Sequence, residues 1–245
     1  MLGIAPTAQI VDITHEVPPH DVRAGALALV RASQYLPDGA IVLAVVDPEV
    51  GTDRRLVAAE VEGGVMLGPD NGLLAPAVAM SGGARRVVQL TNSDYQLPAP
   101  SATFAGRDVL APAAAYIAAG LTVTDLGDPV DPAGLVPGLV PLPRTEGDVL
   151  EGEVWWVDRF GNCQLNIDPQ ELTSAGAKPG GTVEVRIGDE PRSARWVHTY
   201  ADARPSELVI VVDSYGLVSL ALDRESAADA LSLRAGSAVT VVAPS

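Results

Sequence analysis

Short apolar runs alternate with helix-like stretches through the first half of the chain, and this alternation constrains the fold more than any other feature. An apolar run over 8–13 is followed by a helical pattern over 22–34 and by a second apolar run over 41–46. Strand, helix and strand in this order are typical of units around a buried parallel sheet. We therefore predict an α/β domain with a mostly parallel sheet over residues 1–130. Further elements are expected as strands over 56–61, 65–67 and 86–90 and as helices over 71–80 and 107–119.

A dense group of prolines follows this domain. Between residues 128 and 144 stand Pro129, Pro132, Pro137, Pro141 and Pro143. Proline fixes φ and removes a backbone donor, so neither a helix nor a central strand is expected there. We place a linker over 131–146. Short β-rich runs separated by turn residues come after it, over 154–157, 182–187, 208–212, 217–222 and 238–242, and predict a smaller C-terminal β-barrel domain over 147–245.

Charge and composition exclude several function classes. The chain carries 31 acidic and 16 basic residues, a net charge of -15, so it repels phosphate backbones and anionic lipid. We predict no nucleic-acid partner and no membrane association. Cys163 is the single cysteine and is expected in the core, and the three histidines form no metal-binding pattern, so no metal is predicted. The sequence start lacks a secretory signal pattern, and a cytoplasmic location is the expectation.

Asp47 and Arg54 are the first candidate pair for chemistry. Asp47 comes just after the apolar run 41–46, where ligands collect in open α/β sheets, and the turn over 48–52 lets Arg54 face it. An arginine keeps a carboxylate ionised and can hold a polar reactant beside it. From the spacing alone, a surface turn closed by a salt bridge is the simpler explanation.

Three further segments hold binding-type residues. Phe104 offers a flat face to a sugar or base, and Gly106 allows close backbone approach, although a helix entry explains this segment too. Within 156–162, Asp158 suits an ammonium group, Phe160 can stack and Asn162 can pair with an adenine edge. Ser214 adds a hydroxyl at a turn that an ordinary β-turn explains equally well.

Residues 68–74 join a strand to a helix, with Asp70 or Asn71 expected as the N-cap.

Together these segments resemble the family of S-adenosylmethionine hydroxide adenosyltransferases, relatives of fluorinases and chlorinases, along nearly the whole chain. The resemblance rests on six motifs in the family's order: VDITHEVPP (11–19), DPEVGTDRR (47–55), GPDNGLL (68–74), TFAGRD (103–108), DRFGN (158–162) and DSYG (213–216).

The resemblance implies a homotrimer that binds S-adenosylmethionine between one subunit's N-terminal domain and its neighbour's barrel. It implies that Phe104 and Gly106 line the ribose and C5′, with Gly106 at the reacting centre, and that Asp158 and Ser214, next to Tyr215, hold the methionine portion. Phe160, Asn162 and Tyr200 would surround adenine, together with backbone near 222–226. His20 matches a position near the methionine portion. S-adenosylmethionine is then the substrate, and no cofactor is expected.

Asp47 and Arg54 match two members of the family's Asp-Arg-His triad, whereas the halogenating relatives carry tyrosine at the first position. The resemblance therefore implies hydrolysis of S-adenosylmethionine to adenosine and methionine. The third member is Ala105 here, which predicts weakened turnover, and His20 is the histidine that could approach in space. A non-catalytic S-adenosylmethionine or adenosine binder and a halide-dependent adenosyl transferase remain the alternatives. The family's first strand, with its ribose-binding aspartate, is missing before residue 8, and we expect trimming of the sequence start.

Overall fold

The computed structural model describes residues 1–138 and 141–244. The chain separates into two compact units, Met1–Val140 and Pro141–Ser245. Leu139 and Val140, from the predicted linker over 131–146, and Ser245, from the predicted barrel domain over 147–245, lie outside the described residues. No helix among the described residues is long and apolar enough to cross a membrane.

The described residues of the first unit, 1–138, form one five-stranded sheet and three α-helices. The helices are α1 (Val22–Ser33), α2 (Ala75–Met80) and α3 (Ala111–Ala118), and the strands are β1 (Ala40–Leu43), β2 (Leu56–Val61), β3 (Gly64–Pro69), β4 (Arg86–Gln89) and β5 (Asp128–Val130). The sheet order is β1-β3-β2-β4-β5. The α/β class of this unit is confirmed. Pro129, within the predicted proline-rich region, lies in β5 at the sheet edge, where a missing N–H is tolerated.

The expected mostly parallel order of this sheet is wrong. Of the four pairings among the described strands, β1–β3 is parallel and the other three are antiparallel. The two-residue turn at Glu62 and Gly63, with Gly63 at φ 82°, folds β2 back onto β3 as a hairpin. The apolar runs did not reveal the strand direction, because both faces of the sheet are covered. Ala59 packs with α1 and α2, whereas Ala58 packs with α3. Strands buried on both faces carry no alternation that would reveal their direction.

The predicted strand over 8–13 is absent. This segment has no regular structure and pairs with no described strand, and its larger apolar side chains are exposed, with Val11 73% accessible. Apolar composition favours a strand, but the strand requires a hydrogen-bonding neighbour. The helix expected over 71–80 likewise begins later, at Ala75. Its N-cap is Leu74 and not Asp70 or Asn71, because both polar side chains bind elsewhere.

The second unit is a closed β-barrel, which confirms the predicted C-terminal architecture. Its strands are β6 (Arg144–Glu146), β7 (Val149–Val157), β8 (Cys163–Leu165), β9 (Thr182–Ile187), β10 (Glu190–Trp196), β11 (Val209–Val212), β12 (Val218–Ala221) and β13 (Ala238–Val242), with helices α4 (Pro169–Ser174) and α5 (Ala227–Ala230). Strand β13 pairs with both β7 and β9, so seven strands close into a ring and β6 adds to β7 outside it. Closure leaves the ring without a free edge.

The barrel interior is filled by aliphatic side chains. Leu150, Leu165, Ile167, Ile210 and Leu220 are fully buried there. Cys163 lies in the same core, as predicted, and burial raises the pKa of its thiol to about 12. The hairpin turns at the barrel ends therefore stand on a rigid scaffold.

Candidate active site

Asp47 and Arg54 form a bidentate ion pair at the carboxyl end of β1. Arg54 Nε donates to Asp47 Oδ1 at 2.7 Å and to Oδ2 at 2.8 Å, and Nη2 donates to Oδ2 at 2.5 Å. Their side chains are only 7% and 8% accessible, Asp47 being the lower. Such a pair is short, oriented and weakly screened by solvent. The structure thus brings together the two residues that the sequence predicted to face each other.

The neighbouring strand-to-helix loop supports this pair. Asn71 Nδ2 donates to the carbonyl of Val46 at 2.9 Å, which holds the backbone just before Asp47. Asp70, which is buried, accepts from Arg55 Nε at 2.8 Å and from the backbone N–H of Val136 at 2.8 Å. The 68–74 motif is therefore structural: it fixes the end of β1 and anchors the chain near residue 136.

His20 and Asp47 line the same cavity, which has a volume of about 520 Å³. The walls are the segment 13–20, one side of α1 and the end of β1. Most of the lining is apolar, and its polar side chains are Thr14, His15, His20 and Asp47. His20 has a φ of 68°, in the left-handed region that a residue with a Cβ seldom adopts. A concave, mainly apolar site with a few polar groups is typical of small-molecule binding.

Phe104, Ala105 and Gly106 lie at the entry to α3. Phe104 is exposed, and the guanidinium carbon of Arg107 lies 4.7 Å from the centre of its ring. Ala105 is buried, and a Cβ on Gly106 would lie 3.3 Å from Val45 Cγ1. Because Val45 also lines the cavity, Gly106 allows this turn to approach the end of β1.

The predicted helix over 107–119 forms, but its first turn, Gly106–Leu110, is π-helical and the α-helix proper is Ala111–Ala118. Arg107 Nε donates to the buried Asp108 at 2.6 Å, and this hydrogen bond lowers the pKa of the Asp108 carboxyl and raises that of Arg107. Single π-helical turns within α-helices are frequent at functional sites.

In the barrel, Asp158 organises the turn between β7 and β8. Its Oδ1 accepts from the backbone N–H groups of Phe160 at 2.8 Å and Asn162 at 2.9 Å, and its Oδ2 accepts from Asn162 Nδ2 at 2.8 Å. Phe160 is 72% accessible at the tip. Gly161 has a φ of 83°, and a Cβ there would overlap Ser226. The turn therefore requires glycine and presents an aromatic ring to solvent.

The turn between β11 and β12 holds Ser214 and Tyr215. Asp213 Oδ1 accepts from the backbone N–H of Tyr215 at 2.8 Å, and Tyr215 is 55% accessible. Tyr200, in a short 3₁₀ turn after β10, lies near both turns: partial burial, then the charges of Asp158 and Asp213, raise the pKa of its phenol. One end of the barrel thus collects the residues predicted for the methionine and adenine portions.

Comparison with known proteins identifies the family. Residues 1–127 match the SAM hydroxide adenosyltransferase N-terminal domain, and residues 152–240 match the corresponding C-terminal domain. The chain belongs to the SAM hydroxide adenosyltransferase family.

Individual family members match along most of their length. A protein from Salinispora tropica named (R)-S-adenosyl-L-methionine hydrolase is 44% identical, covering 98% of this chain and 88% of the relative. A fluorinase from Actinoplanes is 29% identical over 98% of this chain and 90% of its own length. An uncharacterised conserved protein from Thermotoga maritima has a solved structure with a TM-score of 0.89 and 31% identity, covering 98% of this chain and 91% of that one.

Two polar residues of this adenosyltransferase barrel were not among the predicted site residues. Asp213 accepts from the backbone within the turn between β11 and β12. Gln164, on β8, donates from Nε2 to Asp213 Oδ2 at 2.5 Å. A repeat in the sequence could have indicated Asp213, because the pattern Asp, any residue, aromatic, Gly occurs at both 158–161 and 213–216. Gln164 carries no such signal, since its role depends on which strands are neighbours.

Proposed function

We propose that this chain hydrolyses S-adenosyl-L-methionine to adenosine and L-methionine. The observation that carries the proposal is the buried Asp47–Arg54 ion pair, with Asp47 lining a cavity of about 520 Å³. The 44% identical relative named as a hydrolase supports it. So does the aspartate at position 47, where the resemblance gives the halogenating enzymes a tyrosine.

The chemistry requires little more than a positioned water. Water oxygen bonds to C5′ as the C5′–S bond breaks, and the sulfur keeps the electron pair, so methionine leaves as a neutral thioether. No general acid, metal or cofactor is required for that departure. Asp47 accepts a hydrogen bond from the water and takes its proton late in the step, and the bidentate contact with Arg54 fixes the orientation of the carboxylate. Orientation of the water is then the main catalytic contribution.

We assign the remaining site residues by the family resemblance. Phe104 and Gly106 contact the ribose and C5′, and His20 lies near the methionine portion. Asp158, Ser214 and Tyr215 hold the amino acid, and Phe160, Asn162 and Tyr200 surround adenine. Asp158 has both oxygens engaged by its own turn, but a carboxylate has about four acceptor positions, so it can still bind an ammonium group.

Ala105 weakens the water site in this proposal. Its methyl group cannot hold or polarise water, so the water depends on Asp47. Loss of one positioned polar partner costs about 10²-fold to 10³-fold in rate, by comparison with oxyanion-hole deletions. Turnover is therefore expected to be slow.

The assay separates this function from its alternatives. The protein is incubated with each sulfonium epimer of S-adenosylmethionine, with and without chloride, and products are separated by chromatography. Hydrolysis gives adenosine independently of chloride, preferentially from the R epimer named for the relative. Formation of 5′-chloro-5′-deoxyadenosine supports the halide transferase, and tight binding without product supports the non-catalytic binder; either result overturns the hydrolase.

Assembly and location form the second part of the proposal. On the family resemblance, we propose a homotrimer in which one chain's Asp47 and a neighbour's Asp158 serve the same ligand. Light scattering measures the assembly, and subunit exchange between inactive Asp47→Asn and Asp158→Ala variants should restore part of the activity. Activity that stays absent after exchange contradicts the shared site. A cytoplasmic location fits the single, buried cysteine.

A further inference from the structure

The turn over 158–162, between β7 and β8, and the turn over 213–217, between β11 and β12, have the same pattern of hydrogen bonds. They are called the first turn and the second turn. In each, the aspartate N–H donates to the carbonyl four residues on, Asp158 to Asn162 at 3.0 Å and Asp213 to Leu217 at 2.9 Å. In each, Oδ1 of the aspartate accepts from the amides two and four residues on. The glycines at the fourth position have φ values of 83° and 78°. The turns are therefore structural equivalents.

They differ in the donor to the second carboxylate oxygen. Asp158 Oδ2 accepts from the Asn162 side chain within its own turn at 2.8 Å. The equivalent position in the second turn is Leu217, whose side chain has no donor. Asp213 Oδ2 instead accepts from Gln164 Nε2 at 2.5 Å. Gln164 lies on β8, two residues after the first turn ends, and is 3% accessible.

Gln164 therefore joins the two turns. Strand β8 pairs with β12, with Gln164 opposite Ser219, so the side chain reaches the second turn across this pairing. Burial first, and then the charges of Asp158 and Asp213, raise the pKa of the Tyr200 phenol. A hydrogen bond to a charged group is stronger than one between neutral groups.

We infer that Gln164 is a positioning residue that fixes the turn of Ser214 and Tyr215 relative to that of Asp158, Phe160 and Asn162. The inference rests on the proposed function for the ligand that these turns hold. Gln164 does not touch the ligand in this account. Its effect is to keep two ligand-holding turns at a constant separation, which affects binding and not bond breaking.

The test replaces Gln164 with methionine, which keeps its length and removes the donor. Hydrogen exchange in the unliganded protein should accelerate about tenfold at the N–H groups of Tyr215 and Leu217, and remain unchanged at Phe160 and Asn162. KM for S-adenosylmethionine should rise about tenfold, with kcat within about twofold. The matched control is Asn166→Leu. Asn166 is a second buried amide, two residues further along the chain, and its partners are the backbone N–H of Glu153 and the carbonyl of Pro141.

A rescue variant excludes a merely structural effect. Leu217→Asn, added to Gln164→Met, supplies at position 217 the side chain that Asn162 supplies in the first turn, and should restore slow exchange and low KM. If Gln164→Met yields too little folded protein, Gln164→Glu replaces it. Burial beside the Asp213 carboxylate favours the protonated glutamate at pH 5, which donates, whereas the ionised form at pH 8 repels Asp213, so exchange at Tyr215 should become pH-dependent beyond the wild type.

Unchanged exchange at Tyr215 and Leu217 in the variants, or equal changes in the Asn166 control, overturns the inference. The exchange comparison needs no ligand. A wild type that forms no adenosine while Gln164→Met still loosens the second turn therefore overturns the proposed function, and it leaves the positioning of the turn supported.

Discussion

At the residue scale, the water-positioning role of Asp47 makes a direct prediction. Asp47→Asn keeps the size and removes the charge that accepts the proton, so kcat should fall about 10²-fold to 10³-fold with KM for S-adenosylmethionine nearly unchanged. Steady-state adenosine formation measures both constants. Asp53→Asn, at an exposed carboxylate in the same loop, is the control and should behave as wild type. An Asp47→Asn variant with a third or more of wild-type kcat contradicts the role.

Ala105 provides the opposite prediction, a gain. Ala105→His restores the imidazole of the family pattern, and kcat should rise at least about tenfold, up to about 10²-fold, because the water gains a second polar partner. Thr103→His, exposed on the same loop, controls for an added histidine. If His20 already supplies this partner, Ala105→His brings no gain, and His20→Gln alone abolishes turnover.

At the element scale, the first and second turns of the barrel allow the cost of backbone strain to be separated from the cost of steric overlap. Gly216→Ala places a Cβ at φ 78° with nothing within 4 Å, and should cost about 1 kcal/mol in the free energy of unfolding. Gly161→Ala adds overlap with Ser226, whose Cβ would lie 2.6 Å away, and should cost about 2 to 4 kcal/mol. Urea unfolding measures both. Equal losses would show that the contact with Ser226 relaxes freely.

The strands that the sequence predicted best are those whose runs end at clear turn residues. Strands β2, β9 and β13 have the predicted bounds, because each mainly apolar run is bounded within two positions on either side by glycine, proline or a polar residue. Strand β10 was missed since its sequence, EPRSARW, carries charged side chains over its exposed half. Strand β8 is only three residues long. Local pattern detects strands with a continuous apolar signal and misses those that depend on their neighbours.

At the scale of the whole molecule, acid stability has an identifiable contributor. The hydrogen bonds from Arg195 and from the backbone N–H of Arg204 lower the pKa of Glu207 from its ordinary 4.5 to about 2. A lowered carboxyl pKa stabilises the fold above 4.5, and this contribution is lost as pH falls from 4.5 towards 2.

Glu207→Gln should therefore be less stable than wild type at pH 7, and the difference should shrink through that range. Glu190→Gln, at an exposed carboxylate of the same barrel, is the control. Urea unfolding at several pH values measures both differences, and one for Glu207→Gln that stays constant from pH 7 to 2 contradicts this assignment.

Of the candidate site, the sequence predicted what lies close in the chain. Asp47 and Arg54 are seven residues apart and meet across one turn, and Asp158 and Asn162 belong to a single turn. The link between Gln164 and Asp213 spans 49 positions and depends on the pairing of β8 with β12, which no local pattern reveals. The direction of the first sheet was wrong for a similar reason, since hairpin geometry and not apolar content determined it.

The origin of the oxygen atom in adenosine shows whether water attacks C5′. The reaction is run with S-adenosylmethionine in ¹⁸O-labelled water, and the masses of both products are measured by mass spectrometry. Attack of water on C5′ predicts one ¹⁸O atom at the 5′-hydroxyl of adenosine, none in methionine, and loss of the labelled product in Asp47→Asn. Absence of adenosine above the uncatalysed background, or adenosine without the label, would contradict the account.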